Sequence, residues 1–325
     1  MSTHRFLVTR EIPEPGPSIL KDAGDVVIKD GMSADELREA VTSGEYDVVL
    51  PQVSDTFDAE LLAQAKIRGI ANYAVGYNNI DVAAAADLGI AVGNTPDVLN
   101  EATANTTMLL LLGAARRAYE ASEYLREGKF KGLRPNLLVG QDITGATLGI
   151  AGLGRIGKAV AHRALGFGMN VIFTQRPPED RPVSDDELGD LAGRVSQVPW
   201  DELIETSDYI SLHVPLTEDT THLIDADVLQ RMKSTAVLVN TARGPVVDEN
   251  ALVRALRDRE IFAAGLDVFE NEPQLAEGLA ELPNAFLLPH VGSAEVGSRS
   301  GMARMAAENA VAMAHGETPP YEVMP

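Results

Sequence analysis

The chain has 325 residues, 45% of them hydrophobic, with no cysteine and a formal net charge of -21 from 27 basic and 48 acidic side chains. That length exceeds one usual compact core and points to two domains, while the missing cysteines exclude a disulfide framework, a thiolate metal site and a cysteine nucleophile. The acidity argues against nucleic acid as a partner, since a polyanion is repelled at long range, and no apolar run approaches the roughly 20 residues of a membrane span.

Taken in chain order, the N-terminus from Met1 to Arg10 runs straight into a strand-like segment without an export signal, so the cytoplasm is the default expectation. Strands are expected at Phe6 to Thr9, Val26 to Ile28, Asp47 to Leu50 and Ile90 to Val92. Between them Ser33-Ala34-Asp35-Glu36 reads as a capping box that starts a helix. A long helix is expected from about Leu99 to Arg126, broken by Gly132-Leu133-Arg134-Pro135-Asn136.

Strand and helix patterns then alternate again, with strands at Thr147 to Ala151, Asn170 to Phe173, Tyr209 to Leu212, Ala236 to Val239 and Ala263 to Asp267, and a final helix from Gly297 to about His315. Such alternation predicts two α/β lobes, each a parallel sheet covered by helices. The Pro- and charge-rich stretch from Arg176 to Pro182 reads as a surface loop, and Trp200 is expected between helix and sheet. An anionic ligand of so acidic a chain needs local positive charge, and adaptation to high salt is an alternative source of the acidity.

The most informative local signal is Gly152-Leu153-Gly154-Arg155-Ile156-Gly157, which follows a strand and opens a helix. In that setting Gly152 permits the tight turn, Gly154 lets backbone approach a pyrophosphate and Gly157 allows helix to pack closely on strand. The helix N-terminus then receives the diphosphate on its free N–H groups. An NAD site normally places Asp or Glu about 20 residues further on to accept from the ribose hydroxyls. Here Thr174-Gln175-Arg176 stands instead. NADP is therefore favoured, with Arg176 available to the 2′-phosphate; the alternative is NAD, with Gln175 on the ribose and Arg176 merely solvated. Because a full lobe precedes the motif, the first lobe is the candidate substrate domain.

Five segments together carry a resemblance: Asn72 to Asp81, Gly152 to Gly157, Asn240-Thr241-Ala242-Arg243-Gly244, Leu266 to Pro273 and Pro289-His290-Val291-Gly292-Ser293. In this order, and over nearly the whole chain, they resemble the D-isomer-specific 2-hydroxyacid dehydrogenase family, and most closely its glyoxylate/hydroxypyruvate reductase branch. The resemblance implies a doubly wound Rossmann cofactor domain, 101–289, inserted in a flavodoxin-like substrate domain of 1–100 and 290–325, with the active site in the cleft between lobes. It implies reduction of a small anionic 2-keto acid to the 2-hydroxy acid by a homodimer.

Within that resemblance Arg243 matches the catalytic arginine, whose planar fork can hold a carboxylate and polarise a carbonyl. His290 matches the general acid, and Glu272 the carboxylate that favours its charged form. Each alone has an ordinary explanation as a surface, solvated or loop residue; it is their joint occurrence after a dinucleotide fingerprint that points to chemistry. The backbone of Val75 and Gly76 matches the substrate-carboxylate contact, and Thr103, Val214, Pro215, Thr220, Thr241, Ala242 and Asp267 match cofactor contacts, Asp267 toward the nicotinamide amide. His213 reads as a cofactor neighbour, whereas His4, His162, His222 and His315 have no partner pattern, and no cluster has metal-ligand spacing. Other members of the fold family oxidise phosphoglycerate or D-lactate, and corepressors of the same fold sense the cofactor; these are the alternatives.

Overall fold

The structure, a computed structural model, describes residues 4–325. The chain forms two compact units, one from the chain up to Leu99 together with Ser293–Pro325, the other from Asn100–Gly292.

In the first unit five parallel strands, β1 His4–Val8, β2 Gly24–Ile28, β3 Val48–Leu50, β4 Gly69–Ala71 and β5 Ala91–Gly93, lie in the order β2-β1-β3-β4-β5. This is the flavodoxin-like order. Helices lie against the sheet, so β3 and β4 are buried at every position and read as apolar runs without alternation. Leu7, Val49 and Ile70 pack with Leu37 and Val41 of the helix Ala34–Ser43. The box at its start forms: Ser33 Oγ accepts the amide of Glu36, whose carboxylate takes the Ser33 amide at 2.8 Å. β4 is absent from the strands expected above. It is three residues long, and its Gly69 and Ala71 have little intrinsic strand preference. The C-terminal helix Val296–His315 buries Met302, Met305, Ala306, Ala310 and Met313.

The second unit carries seven parallel strands: β6 Thr147–Ala151, β7 Asn170–Thr174, β8 Ser196–Gln197, β9 Tyr209–Leu212, β10 Val237–Asn240, β11 Ala263–Leu266 and β12 Ala285–Leu287. Their order is β12-β11-β10-β9-β6-β7-β8. Strand order reverses between β6 and β9, the switch point where doubly wound sheets bind ligands. Successive strand residues point to opposite faces, and both faces are core. Ile210, Leu212, Leu238 and Leu266 enter one cluster, which includes Trp200 at the start of the helix Trp200–Thr206. Leu148, Ile150, Val237 and Val239 enter the other, under the helices Asn100–Ala115 and Arg155–Gly166.

The single helix expected from Leu99 to Arg126 is two, Asn100–Ala115 and Ala118–Arg126. Arg117 between them is left-handed (φ 54), and the Ala115 carbonyl accepts from the amide of Gln141 at 3.0 Å. A partner brought from a distant segment thus replaces the next turn of helix. The second unit extends to Gly292, past the expected boundary at 289. The amide of His290 donates to the Asp267 carbonyl at 2.9 Å, which ties this segment to β11. No helix among the described residues is long and apolar enough to cross a membrane.

Candidate active site

The Gly-rich turn stands at the switch point, between β6 and the helix Arg155–Gly166. Gly152 has φ 92, a left-handed value that favours glycine, and its amide donates to the Thr174 carbonyl at 2.8 Å. A Cβ on Gly157 would collide with the Gly152 carbonyl, so glycine lets the helix lie on the turn. Gly154 differs from both: nothing among the described residues lies within 4 Å of where its Cβ would be. No side chain caps the helix that it precedes, so open space and helix N-terminal amides meet there, as a diphosphate requires.

At the end of β7, Gln175 Oε1 is buried with no hydrogen-bond partner among the described residues. A buried carbonyl oxygen without a donor is costly, and a ribose hydroxyl would supply one. Arg176 beside it is exposed. The turn and this orphaned oxygen fit a dinucleotide laid across the switch point.

The three catalytic candidates all stand on the second unit. Arg243 follows β10 in a turn clamped by Asn240, whose Nδ2 donates to the Arg243 carbonyl at 2.8 Å and whose Oδ1 accepts the Ala242 amide at 3.0 Å. A Cβ on Gly244 would overlap the backbone of Phe269 and Glu270. Glycine there lets this turn lie directly on the loop that carries Glu272. Desolvation pushes the Arg243 guanidinium down and the charge of Glu272 opposes it; an arginine stays charged under both. Its Nη1 donates to the Ala242 carbonyl at 2.7 Å.

Glu272 Oε2 lies 2.7 Å from Nδ1 of His290, and its Oε1 accepts the Phe269 amide at 3.0 Å. Burial pushes the Glu272 carboxyl up, but the bond and charge of His290, the Phe269 amide and Arg243 outweigh it and leave it lowered. Glu272 is therefore an anion that fixes which imidazole nitrogen is turned inward, leaving Nε2 for other work. His290 itself is left-handed (φ 52).

Asp267 is buried, and its two oxygens accept the amides of Val291 and Gly292, each at 2.7 Å. Desolvation pushes its carboxyl up against these two amides. The residue therefore builds the turn on which His290 sits, a role that sequence reasoning did not assign. The turn lies more than twenty positions from Asp267, so no local signal announces the contact.

The positions matched to cofactor contacts occupy the same unit. Thr241 Oγ1 lies 2.8 Å from the hydroxyl of Thr107, one helical turn beyond Thr103. Thr220 Oγ1 donates to the Pro215 carbonyl at 2.7 Å and accepts the Thr217 amide at 2.8 Å, closing the loop after Val214. His213 bonds Ser211 Oγ at 2.8 Å, and desolvation pushes it down to about 4, which keeps it neutral near pH 7. Val75 and Gly76 stand on the first unit, in the loop after β4. There Asn94 Nδ2 donates to the Val75 carbonyl and Asn72 Nδ2 to that of Gly76, each at 2.8 Å.

Partners that the sequence did not disclose appear at the other histidines. His222 Nε2 lies 2.7 Å from Glu270, His162 Nε2 3.3 Å from Asp190 and His4 Nδ1 3.8 Å from Asp47, while the rings of His4 and His315 meet edge-on at 4.8 Å. Each partner lies far off in the chain, so no local pattern announces it. Glu249, buried and pushed up by desolvation, accepts the Glu270 amide at 2.6 Å and the Ala276 amide at 3.3 Å and so braces the Glu272 loop from below.

Residues 108–292 match the family model for the D-isomer specific 2-hydroxyacid dehydrogenase, NAD binding domain. The glyoxylate reductase of Korarchaeum cryptofilum is 47% identical over 320 residues, 97% of this chain and 94% of that protein. Among solved structures, a protein from Thermus thermophilus superposes with a TM-score of 0.88 at 42% identity, over 98% of this chain and 100% of that one. An NADPH-dependent glyoxylate/hydroxypyruvate reductase from Sinorhizobium meliloti, crystallised with NADP and malonate, has a TM-score of 0.81 at 34% identity over 99% and 97%. With the fold, the turn and near full-length identity agreeing, the chain belongs to the D-isomer-specific 2-hydroxyacid dehydrogenase family and is an oxidoreductase with a nicotinamide-dinucleotide-binding domain.

Proposed function

We propose that the enzyme reduces glyoxylate and hydroxypyruvate to the corresponding 2-hydroxy acids, with Arg243, Glu272 and His290 as its catalytic residues. The observation that carries this reading is the 2.7 Å contact of His290 Nδ1 with Glu272, beside an arginine whose turn glycine packs on the same loop. A keto acid brings a carboxylate, a carbonyl oxygen that becomes negative and a carbonyl carbon that accepts two electrons. Arg243 binds the carboxylate and, with its second donor edge, the carbonyl oxygen. His290, its Nδ1 held by Glu272, gives its Nε2 proton to that oxygen as charge develops. The cofactor, when bound, supplies the hydride to the carbonyl carbon. Hydride and proton together convert the carbonyl, an aldehyde in glyoxylate and a ketone in hydroxypyruvate, to the alcohol, and His290 takes a new proton from solvent.

The dinucleotide lies on Gly152 to Gly157, its adenosine ribose at Gln175, with Thr103, Val214, Pro215, Thr220, Thr241, Ala242 and Asp267 completing the cofactor contacts. NADP is the favoured partner, because position 175 offers no carboxylate and Arg176 offers a cation; the NADP complex of the Sinorhizobium meliloti relative supports it. On the first unit, the backbone N–H groups of Val75 and Gly76 are assigned to the substrate carboxylate. Two copies pair through the second unit, where Leu109, Leu125, Phe130, Leu133 and Val139 are exposed, an apolar surface of the kind that marks protein contacts. Steady-state turnover of glyoxylate, hydroxypyruvate, pyruvate and 3-phosphohydroxypyruvate with each cofactor tests the reading. The first two substrates should lead; a clear lead for either of the others reassigns the enzyme within its family.

A further inference from the structure

Position 175 lacks a carboxylate in the sequence, yet a carboxylate reaches the end of β7 in the fold. Asp180 folds back so that its Oδ1 accepts the backbone amide of Gln175 at 2.8 Å, and its Oδ2 accepts Gln197 Nε2 at 2.6 Å. Gln197 in turn donates to the Arg181 carbonyl at 2.6 Å and accepts the Val183 amide at 2.9 Å, which pins the loop to β8. We propose that Asp180 determines cofactor specificity: it supplies from downstream the carboxylate that position 175 lacks, and occupies the Gln175 amide that a 2′-phosphate would otherwise use.

This rests on reading the Gly-rich turn as a dinucleotide site. Given that site, the adenosine ribose lies where β7 ends, beside the Gln175–Asp180 contact. Each Asp180 oxygen has a lone pair left after one hydrogen bond, and the residue is exposed, so ribose hydroxyls can donate to it. A phosphate dianion cannot; it meets a like charge and an amide already taken. The surroundings reinforce the repulsion. Between Arg176 and Glu187 the chain carries two basic and five acidic side chains, and one of the two cations, Arg181, is engaged by Glu187 at 2.8 Å. Arg176 draws the phosphate in and Asp180 holds it off, so the preference for NADP is smaller than the residues at 175 and 176 imply.

Calorimetric titration of the full-length protein with NADP+ and with NAD+, which differ only in the 2′-phosphate, tests this directly. Asp180→Asn and Asp180→Ala should each tighten NADP+ relative to NAD+ by at least about ten-fold, equivalent to about 1.4 kcal/mol, and kcat/KM for NADPH over NADH should rise with it. A ratio of dissociation constants unchanged within about two-fold in both variants overturns the role of Asp180 while leaving the dinucleotide site intact. Failure of the unmodified protein to bind either dinucleotide overturns the site itself, and this proposal with it.

Discussion

The backbone amide of His290 donates to the carbonyl of Asp267 at 2.9 Å, and the side chain of the same aspartate takes the next two amides of the turn. One buried residue thus sets the place of His290.

Asp267→Asn should separate this positioning from any contact with the cofactor. A carboxamide can accept from one of the two amides, but its NH2 group faces the other, and a buried N–H left without an acceptor costs about 1–3 kcal/mol. The turn should loosen, Tm should fall, and kcat should fall by about ten-fold or more, a larger loss than that in affinity for the dinucleotide. Steady-state kinetics beside calorimetric binding checks it; unchanged kcat in the variant would show that the two amides do not hold the acid in place.

Glu272 is held below its usual value and so remains an anion through neutral pH. On the proposed mechanism His290 donates the proton and Glu272 orients it for that step. In Glu272→Gln the carboxylate that orients the imidazole is gone, and kcat should fall by about ten-fold or more in a folded protein. His290→Ala should lose most of kcat. A folded Glu272→Gln protein with unaltered kcat speaks against the pair.

Asp208 offers a stability test away from the site. Its Oδ2 accepts the Thr147 amide at 2.9 Å at the start of β6, and its Oδ1 accepts Lys233 Nζ at 2.8 Å. Burial pushes its carboxyl up, but Lys233 and the amide outweigh burial and leave it lowered. A lowered folded value means that the contribution is present above the unfolded value and disappears as pH falls through the folded one. Asp208→Asn should cost about 1 kcal/mol at pH 7, a half-exposed pair being partly screened, and the gap in denaturant midpoint should close below about pH 4. A gap that is constant from pH 7 to pH 3 would exclude the charge as its source.

How much of this is legible in the sequence depends on how local the cause is. β6 and β9 coincide with their expected bounds, because apolar runs between turn residues declare themselves within a few positions. β8, of two residues, and β12, of three, are held by sheet neighbours rather than by their own preference. The Gly-rich turn is local and readable. The meeting of Glu272 and His290 across 18 positions is not local, and it enters the sequence reading only through resemblance. Asp180 shows the opposite case. Counting residues from the motif identifies Gln175 as the position to inspect, but a carboxylate delivered by a folded loop five residues later has no signature there.

The most direct test of the catalytic assignment is kcat/KM for glyoxylate with NADPH in Arg243→Ala, measured beside the unmodified enzyme, with near-native thermal unfolding as the control for folding. Loss of the guanidinium removes both the carboxylate anchor and a donor to the developing oxyanion, so kcat/KM should drop by about 10²- to 10³-fold, with kcat and KM both affected. Turnover within about two-fold of the unmodified enzyme by the folded variant would contradict a role for Arg243 in keto acid reduction.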